Sequence, residues 1–141
     1  MPTTAQVIAW AEAYRQAWEN ADTPAAVALF AEDSSYRSNI FEEPYLGWQG
    51  VEEYWSTVTA VQSDVKVWMG QPVIEGDRVI VEFWTRMLGG GEPLTLVGNL
   101  LMHRSARVLA VAARAPRPLA RLGRVAPQQD SGRACRPPVV G

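Results

Sequence analysis

The chain has 141 residues, 48% of them hydrophobic and 20% charged, with a formal net charge of -2. These are the proportions of an ordinary folded domain, which excludes fibrous and disordered classes, and a domain of this length buries about two thirds of its unfolded surface in one core. No run of about 18 apolar residues occurs, and the opening MPTTAQVIAW lacks the basic region and apolar core of a secretory signal, so a cytoplasmic location with no membrane partner is expected.

Thr3 or Thr4 can cap a first helix whose apolar residues Val7, Trp10, Ala11, Tyr14, Ala17 and Trp18 recur at three and four. Asn20 to Asp22 break that pattern, and Asp22 or Thr23 before Pro24 starts a short second helix running through Val27 and Phe30. Ser34 to Ile40 reads as a short strand, and Phe41 to Gly50 as a polar loop containing Pro44 and Gly47. Val51, Tyr54, Trp55, Val58 and Val61 then keep helical spacing, which predicts a third helix over 51–61.

From Val65 the period falls to two. Arg78 to Leu88 is the clearest strand: Val79, Val81, Phe83, Thr85 and Met87 share one face, Ile80, Glu82, Trp84 and Arg86 the other. Glu75-Gly76-Asp77 and Gly89 to Gly91 are turns, the latter leading into a strand over Leu94 to Met102. Helices first and hairpin strands after them imply an α+β domain in which three N-terminal helices cover one face of a curved antiparallel sheet.

The last part of the chain differs in kind. Residues 1–102 carry five basic against fourteen acidic side chains, whereas residues 103–141 carry eight arginines against Asp130 alone, with no aromatic residue and no lysine. The chain therefore divides into a domain over 1–102 and an atypical Arg/Ala/Pro-rich tail over 103–141. That mixture is what GC-rich codons yield out of frame, which marks the stretch after about Met102 as a candidate for a changed reading frame. Val108 to Ala113 suits a strand or a helical turn, and disorder is expected beyond Pro116. Basic charge without interleaved aromatics or a binding fold gives no expectation of nucleic-acid binding. Cys135 is the only cysteine, so neither an internal disulfide nor a cysteine metal cluster is available, and the lone His103 lacks partners for a metal site.

The segments WENADTPA, AVALFAED, EEPYLGWQGVEEYW and VIEGDRVIVEFWTRM, across about residues 5–102, together resemble the SnoaL-like and ketosteroid-isomerase-like members of the nuclear transport factor two-like superfamily. The resemblance implies a cone-shaped fold with an apolar pocket for a small, oxygenated, apolar or aromatic ligand. It also implies a homodimer through the outer sheet face and no cofactor or metal. Members include isomerases, cyclases, dehydratases, hydrolases and non-catalytic binding proteins, so the resemblance leaves the activity open.

Carried over residue by residue, the isomerase comparison puts the oxyanion-binding tyrosine at Tyr14, the late-strand acid near Asn99 and the general base at Ser38. A serine hydroxyl takes up no proton at neutral pH unaided, so the steroid-type proton shuttle loses its central group. Tyr14 and Asn99 can still donate to a ligand oxygen. Glu43, in the loop at the expected mouth, is a replacement acid or base. Trp48 in the same loop is a candidate ligand-stacking ring, and Trp55 and Glu82 complete the expected binding set, with cross-strand ion pairing of Glu82 and Arg86, which share a strand face, as the alternative.

Overall fold

The computed structural model describes residues 3–39, 41–103 and 107–114. Helix α1 spans Thr4–Glu19 and starts at a reciprocal cap: Gln6 N donates to the Thr3 hydroxyl at 3.2 Å and Thr3 N donates to the Gln6 side chain at 2.9 Å. Its stripe Val7, Ala11, Tyr14, Ala17 and Trp18 is buried. Asp22 accepts from Ala25 N at 3.1 Å and caps α2, Thr23–Val27, with Pro24 in the first turn. Helix α2 stops short of Phe30, because Leu29 and Phe30 N–H donate three residues back, to Ala26 and Val27, and so tighten the turn that ends it.

Strand β1, Ser35–Arg37, pairs antiparallel with β2, Tyr45–Leu46, and α3 follows at once over Gly47–Thr59. The expected loop over Phe41–Gly50 therefore shrinks, and α3 begins before Val51. Gly47 makes this possible: with φ of 65° it turns the chain from strand into helix while its N–H donates to Ser34 O at 2.7 Å.

The remaining strands are β3 (Gln62–Met69), β4 (Val73–Glu75), β5 (Arg78–Gly89), β6 (Glu92–His103) and β7 (Arg107–Arg114). Their order is β2-β1-β7-β6-β5-β3, with β4 also paired to β5. Every pairing is antiparallel except β1 with β7, which is parallel, as the long crossover through α3 and the hairpins allows. Strand β7 thus carries the sheet past Met102 into the segment that composition sets apart. The expectation of disorder beyond Pro116 lies outside the described residues, as do residues 104–106 and 115–141 of the stretch after about Met102 expected to come from a changed reading frame.

Alternation sorts the sheet into two faces. Val79, Val81, Phe83, Thr85 and Met87 are buried on the inner face, with Leu100 of β6 opposite Val81. Ile80, Glu82, Trp84 and Arg86 face outward, opposite Leu101, Asn99, Val97 and Thr95. A bulge between Ser63 and Lys66, with Asp64 at φ 50°, kinks β3. Just past it Val67 N donates to Glu19 Oε1 of α1 at 2.9 Å, while Arg15 holds the other oxygen of Glu19 at 2.9 Å. One carboxylate so ties the end of α1 to β3.

Between helices and inner face lies a continuous aromatic core. Tyr14 packs edge-to-face on Trp18 and Trp55, Trp18 on Phe83, and Phe30 on Tyr36, all with ring centroids within 6.1 Å. Each such pair contributes about 0.5–1.5 kcal/mol beyond its buried area.

Candidate functional site

A cavity of about 80 Å³ lies within this core. Its buried floor is Tyr14 and Trp18 of α1, Tyr36 of β1, Trp55 of α3 and Phe83 of β5; its half-buried rim is Ser38, Tyr54, Val58, Thr59, Gln62 and Leu96. The period of each element places these groups. Tyr14 and Trp18 are four apart on α1, Tyr54, Trp55, Val58 and Thr59 share one side of α3, and Tyr36 and Ser38 are two apart on one extended segment.

Two hydroxyls meet in the interior: Tyr14 and Tyr36 lie oxygen to oxygen at 3.3 Å, with Tyr54 and Ser38 beside them at the rim. Burial pushes all three phenols above their ordinary range, opposed at Tyr14 by the bond with Tyr36 and at Tyr54 by the neighbouring Ser38 and Tyr36 hydroxyls. The hydroxyls therefore stay protonated at neutral pH and act as donors. Trp18 Nε1 donates to Gln62 Oε1 at 2.9 Å, and Trp55 Nε1 is buried with no hydrogen-bond partner among the described residues. No carboxylate or imidazole is among the lining side chains of the described residues. Those residues can hydrogen-bond and polarise an oxygen but offer no general base.

The structure gathers three of the seven sequence-selected residues, Tyr14, Ser38 and Trp55, at this cavity and separates the other four. Asn99 is exposed on the outer face opposite Glu82, so neither contributes to the interior. The reason is parity: Gly98 and Leu100 are the buried neighbours, and a one-residue difference reverses the face. The expected cross-strand ion pairing of Glu82 and Arg86 also gives way, since the register flanks Glu82 with Asn99 and Gly70 and Arg86 with Thr95 and Lys66. Trp48 is 47% exposed, and its Nε1 donates to Phe30 O at 2.7 Å, tying the first turn of α3 to the end of the α2 segment instead of lining the cavity. Glu43 lies with Glu53 on an open surface depression between β2 and α3, of about 520 Å³.

Sequence reasoning missed Tyr36, Tyr54 and Gln62 as site residues. The first two carried a signal: Tyr36 shares a face with Ser38, and Tyr54 precedes Trp55 on the apolar stripe of α3. Gln62 carried none, because its position depends on the α3–β3 junction.

The profile of the SnoaL-like domain matches residues 11–109. The chain belongs to the SnoaL-like domain family. Family members are small-molecule-binding and isomerase-type proteins. No curated protein matches the chain. Among solved structures, this SnoaL-like domain is similar to a hypothetical protein of ketosteroid isomerase-like fold from Catenulispora acidiphila DSM 44928, solved in complex with trimethylamine, at 19% identity and TM-score 0.63, over 74% of this chain and 83% of that one. It is similar as well to a ketosteroid isomerase-like protein from Erwinia carotovora atroseptica SCRI1043, at 20% identity and TM-score 0.63, over 80% and 97% of the two chains. Identities this low establish the shared fold, a cone of three helices on a curved, mostly antiparallel sheet, and not a shared activity. No helix among the described residues is long and apolar enough to cross a membrane.

Proposed function

We propose that this SnoaL-like protein binds a small, apolar, oxygenated molecule inside the cone, with the ligand oxygen held by the tyrosine hydroxyls. The observation that supports this best is the buried Tyr14–Tyr36 hydroxyl pair set in aromatic walls, with the Tyr54 and Ser38 hydroxyls at the rim. Desolvated phenol donors hold an acceptor more strongly than they would in water. With no base on the lining among the described residues, the reading favours binding or polarisation of a carbonyl or phenol oxygen over proton shuttling. Cavity size favours a compact ligand or the compact end of a larger one, since sites for drug-sized molecules run to about 300–1,000 Å³. The trimethylamine held by the Catenulispora protein is a molecule of that compact class.

The test is Tyr14→Phe. Tyr14 is 3% exposed and its partner oxygen lies at 3.3 Å, long for a hydroxyl pair, so the loss to folding is about 1 kcal/mol or less. Affinity for small cyclic ketones or phenols, read by titration calorimetry, is expected to fall about tenfold. Unchanged affinity would make Tyr14 a packing residue and defeat the reading.

A homodimer through the outer sheet face is the second element of the proposal. Trp68, Trp84, Val97 and Leu101 are half-buried there and Ile80 is 40% exposed, an apolar patch of the kind that marks an interface. Light scattering on wild type and Ile80→Glu is expected to give two subunits and one; a monomeric wild type would remove this part.

A further inference from the structure

The polar groups around the cavity differ in how they discriminate between ligands. The hydroxyls of Tyr14, Tyr36, Ser38 and Tyr54 can each donate or accept by turning the proton, so they set no fixed sense. The carboxamide of Gln62 does. Trp18 Nε1 lies 2.9 Å from Gln62 Oε1, and an indole nitrogen only donates, so the amide oxygen must face Trp18 and the NH2 is the end left over. Both residues line the cavity, which sets this pair in its wall. Gln62 is half-buried at the rim, and its NH2 carries no hydrogen bond to the described residues yet is not one of the nitrogens sealed from solvent. The clamp itself is well anchored: Trp18 packs edge-to-face on Tyr14, Trp55 and Phe83, and Gln62 opens β3 in register with Gly89 of β5. Tyr14 and Trp18 stand about one turn apart on α1, so the phenol pair and the amide that Trp18 holds address two points of one ligand.

We propose that Gln62 is a specificity-determining residue at the rim of the cavity, its NH2 donating to a second acceptor oxygen of a ligand whose first oxygen meets the tyrosine hydroxyls. The ligand class is then a compact, uncharged molecule with acceptor oxygens at two ends, such as a diketone or a keto-ether. This inference rests on the reading of the cavity as a ligand site and adds to it the residue that chooses the ligand's second group. Trp18 is the positioning residue. Without its N–H the amide can turn end for end and accept as readily as it donates.

The probes are cyclohexanone and cyclohexane-1,4-dione, which carries a second carbonyl at the opposite end of the ring, with 4-hydroxycyclohexanone as the probe that can donate. Affinities for the full chain are measured by calorimetry at pH 8, and the Gln62 side-chain NH2 resonances are followed by NMR. Wild type is expected to bind the dione about fivefold more tightly than the monoketone, with the Gln62 NH2 shifting only for the dione. Gln62→Leu is expected to keep monoketone binding and lose the preference. Gln62→Glu keeps an acceptor for Trp18 but replaces the NH2 with oxygen, so the dione should bind about tenfold more weakly than to wild type and the hydroxyketone more tightly than the dione. Trp18→Phe should raise the affinity for the hydroxyketone relative to the dione; an unchanged ratio would overturn the fixed orientation of the amide. Equal wild-type affinities for dione and monoketone, or a dione affinity unchanged in Gln62→Glu, would overturn the role of Gln62 and leave the cavity reading in place. Binding of none of the probes at millimolar concentration would overturn both.

Discussion

Replacing Thr85 with valine is expected to stabilise the protein, against the usual direction of a core substitution. Thr85 is 0% exposed on the inner face of β5, in register between Val67 of β3 and Leu96 of β6, and its hydroxyl has no hydrogen-bond partner among the described residues. A buried polar group without a partner costs about 1–3 kcal/mol, and valine has the same shape with a methyl in its place. The expected gain is about 2 kcal/mol. For a domain of this size each kcal/mol moves Tm by about 3–5 °C, so the variant should melt about 6–10 °C higher. Urea unfolding followed by tryptophan fluorescence checks it: the midpoint should rise while the slope stays constant. A loss of more than about 0.5 kcal/mol would refute the reasoning. It would mean that the hydroxyl has a partner, an internal water or a group outside the described residues.

Gly50 and Gly76 test two different costs of one added methyl. A Cβ on Gly50, inside α3, would sit 2.7 Å from the carbonyl carbon of Tyr45, so Gly50→Ala should lose about 2 kcal/mol although helix propensity alone offers a gain of about 1. Gly76→Ala meets nothing within 4 Å but must hold φ of 58°, so it should lose about 1 kcal/mol through backbone conformation alone. Denaturant unfolding of both separates the causes, and a Gly50→Ala variant as stable as wild type would show that β2 and α3 pack less closely than described. High pH probes the phenols. Their folded pKa values lie above those of the unfolded chain, so the folded state binds more protons above about pH 10 and stability falls as pH rises through that range. Each phenol that ionises in the unfolded chain while staying protonated in the folded one contributes about 1.4 kcal/mol per pH unit to that slope. Phenolate absorbance from them should appear together with unfolding; smooth titration near pH 10 in a folded protein would contradict their burial.

The elements set by local chemistry were legible in the chain. Thr3 and Gln6 fix the start of α1, Asp22 and Pro24 that of α2, and strict alternation over Val79 to Met87 fixes both faces of β5. What depends on long-range pairing was not. Strand β2 is two residues long and exists because Ser35 and Tyr36 lie beside it, and α3 starts at Gly47 because a left-handed residue reaches Ser34 O. The error at Asn99 has a sharper cause. The turn at Gly90 and Gly91 pairs Gly89 with Glu92, and that register carries Glu82 onto Asn99; with Glu82 on the outward set, Asn99 must be outward too. Family correspondence placed an acid position only near Asn99, and on a strand a one-residue uncertainty inverts the answer.

The same parity argument explains how hydroxyls gather at the cavity. Tyr36 falls inward because it alternates with Ser35 and Arg37 on the first strand, and Tyr54 reaches the rim because it lies beside Trp55 on α3, so the first strand and the third helix each bring a hydroxyl to the cavity that Tyr14 lines from α1. A core selected for packing alone would place phenylalanine at these positions, since every buried hydroxyl must find a partner to offset its desolvation. Here Tyr14 and Tyr36 are partners of one another, and their 3.3 Å separation exceeds the 2.7–2.8 Å usual for hydroxyl pairs. A pair bonded that loosely loses little when one hydroxyl turns to another acceptor, and it is on this that the proposed hydrogen bond to a ligand oxygen rests.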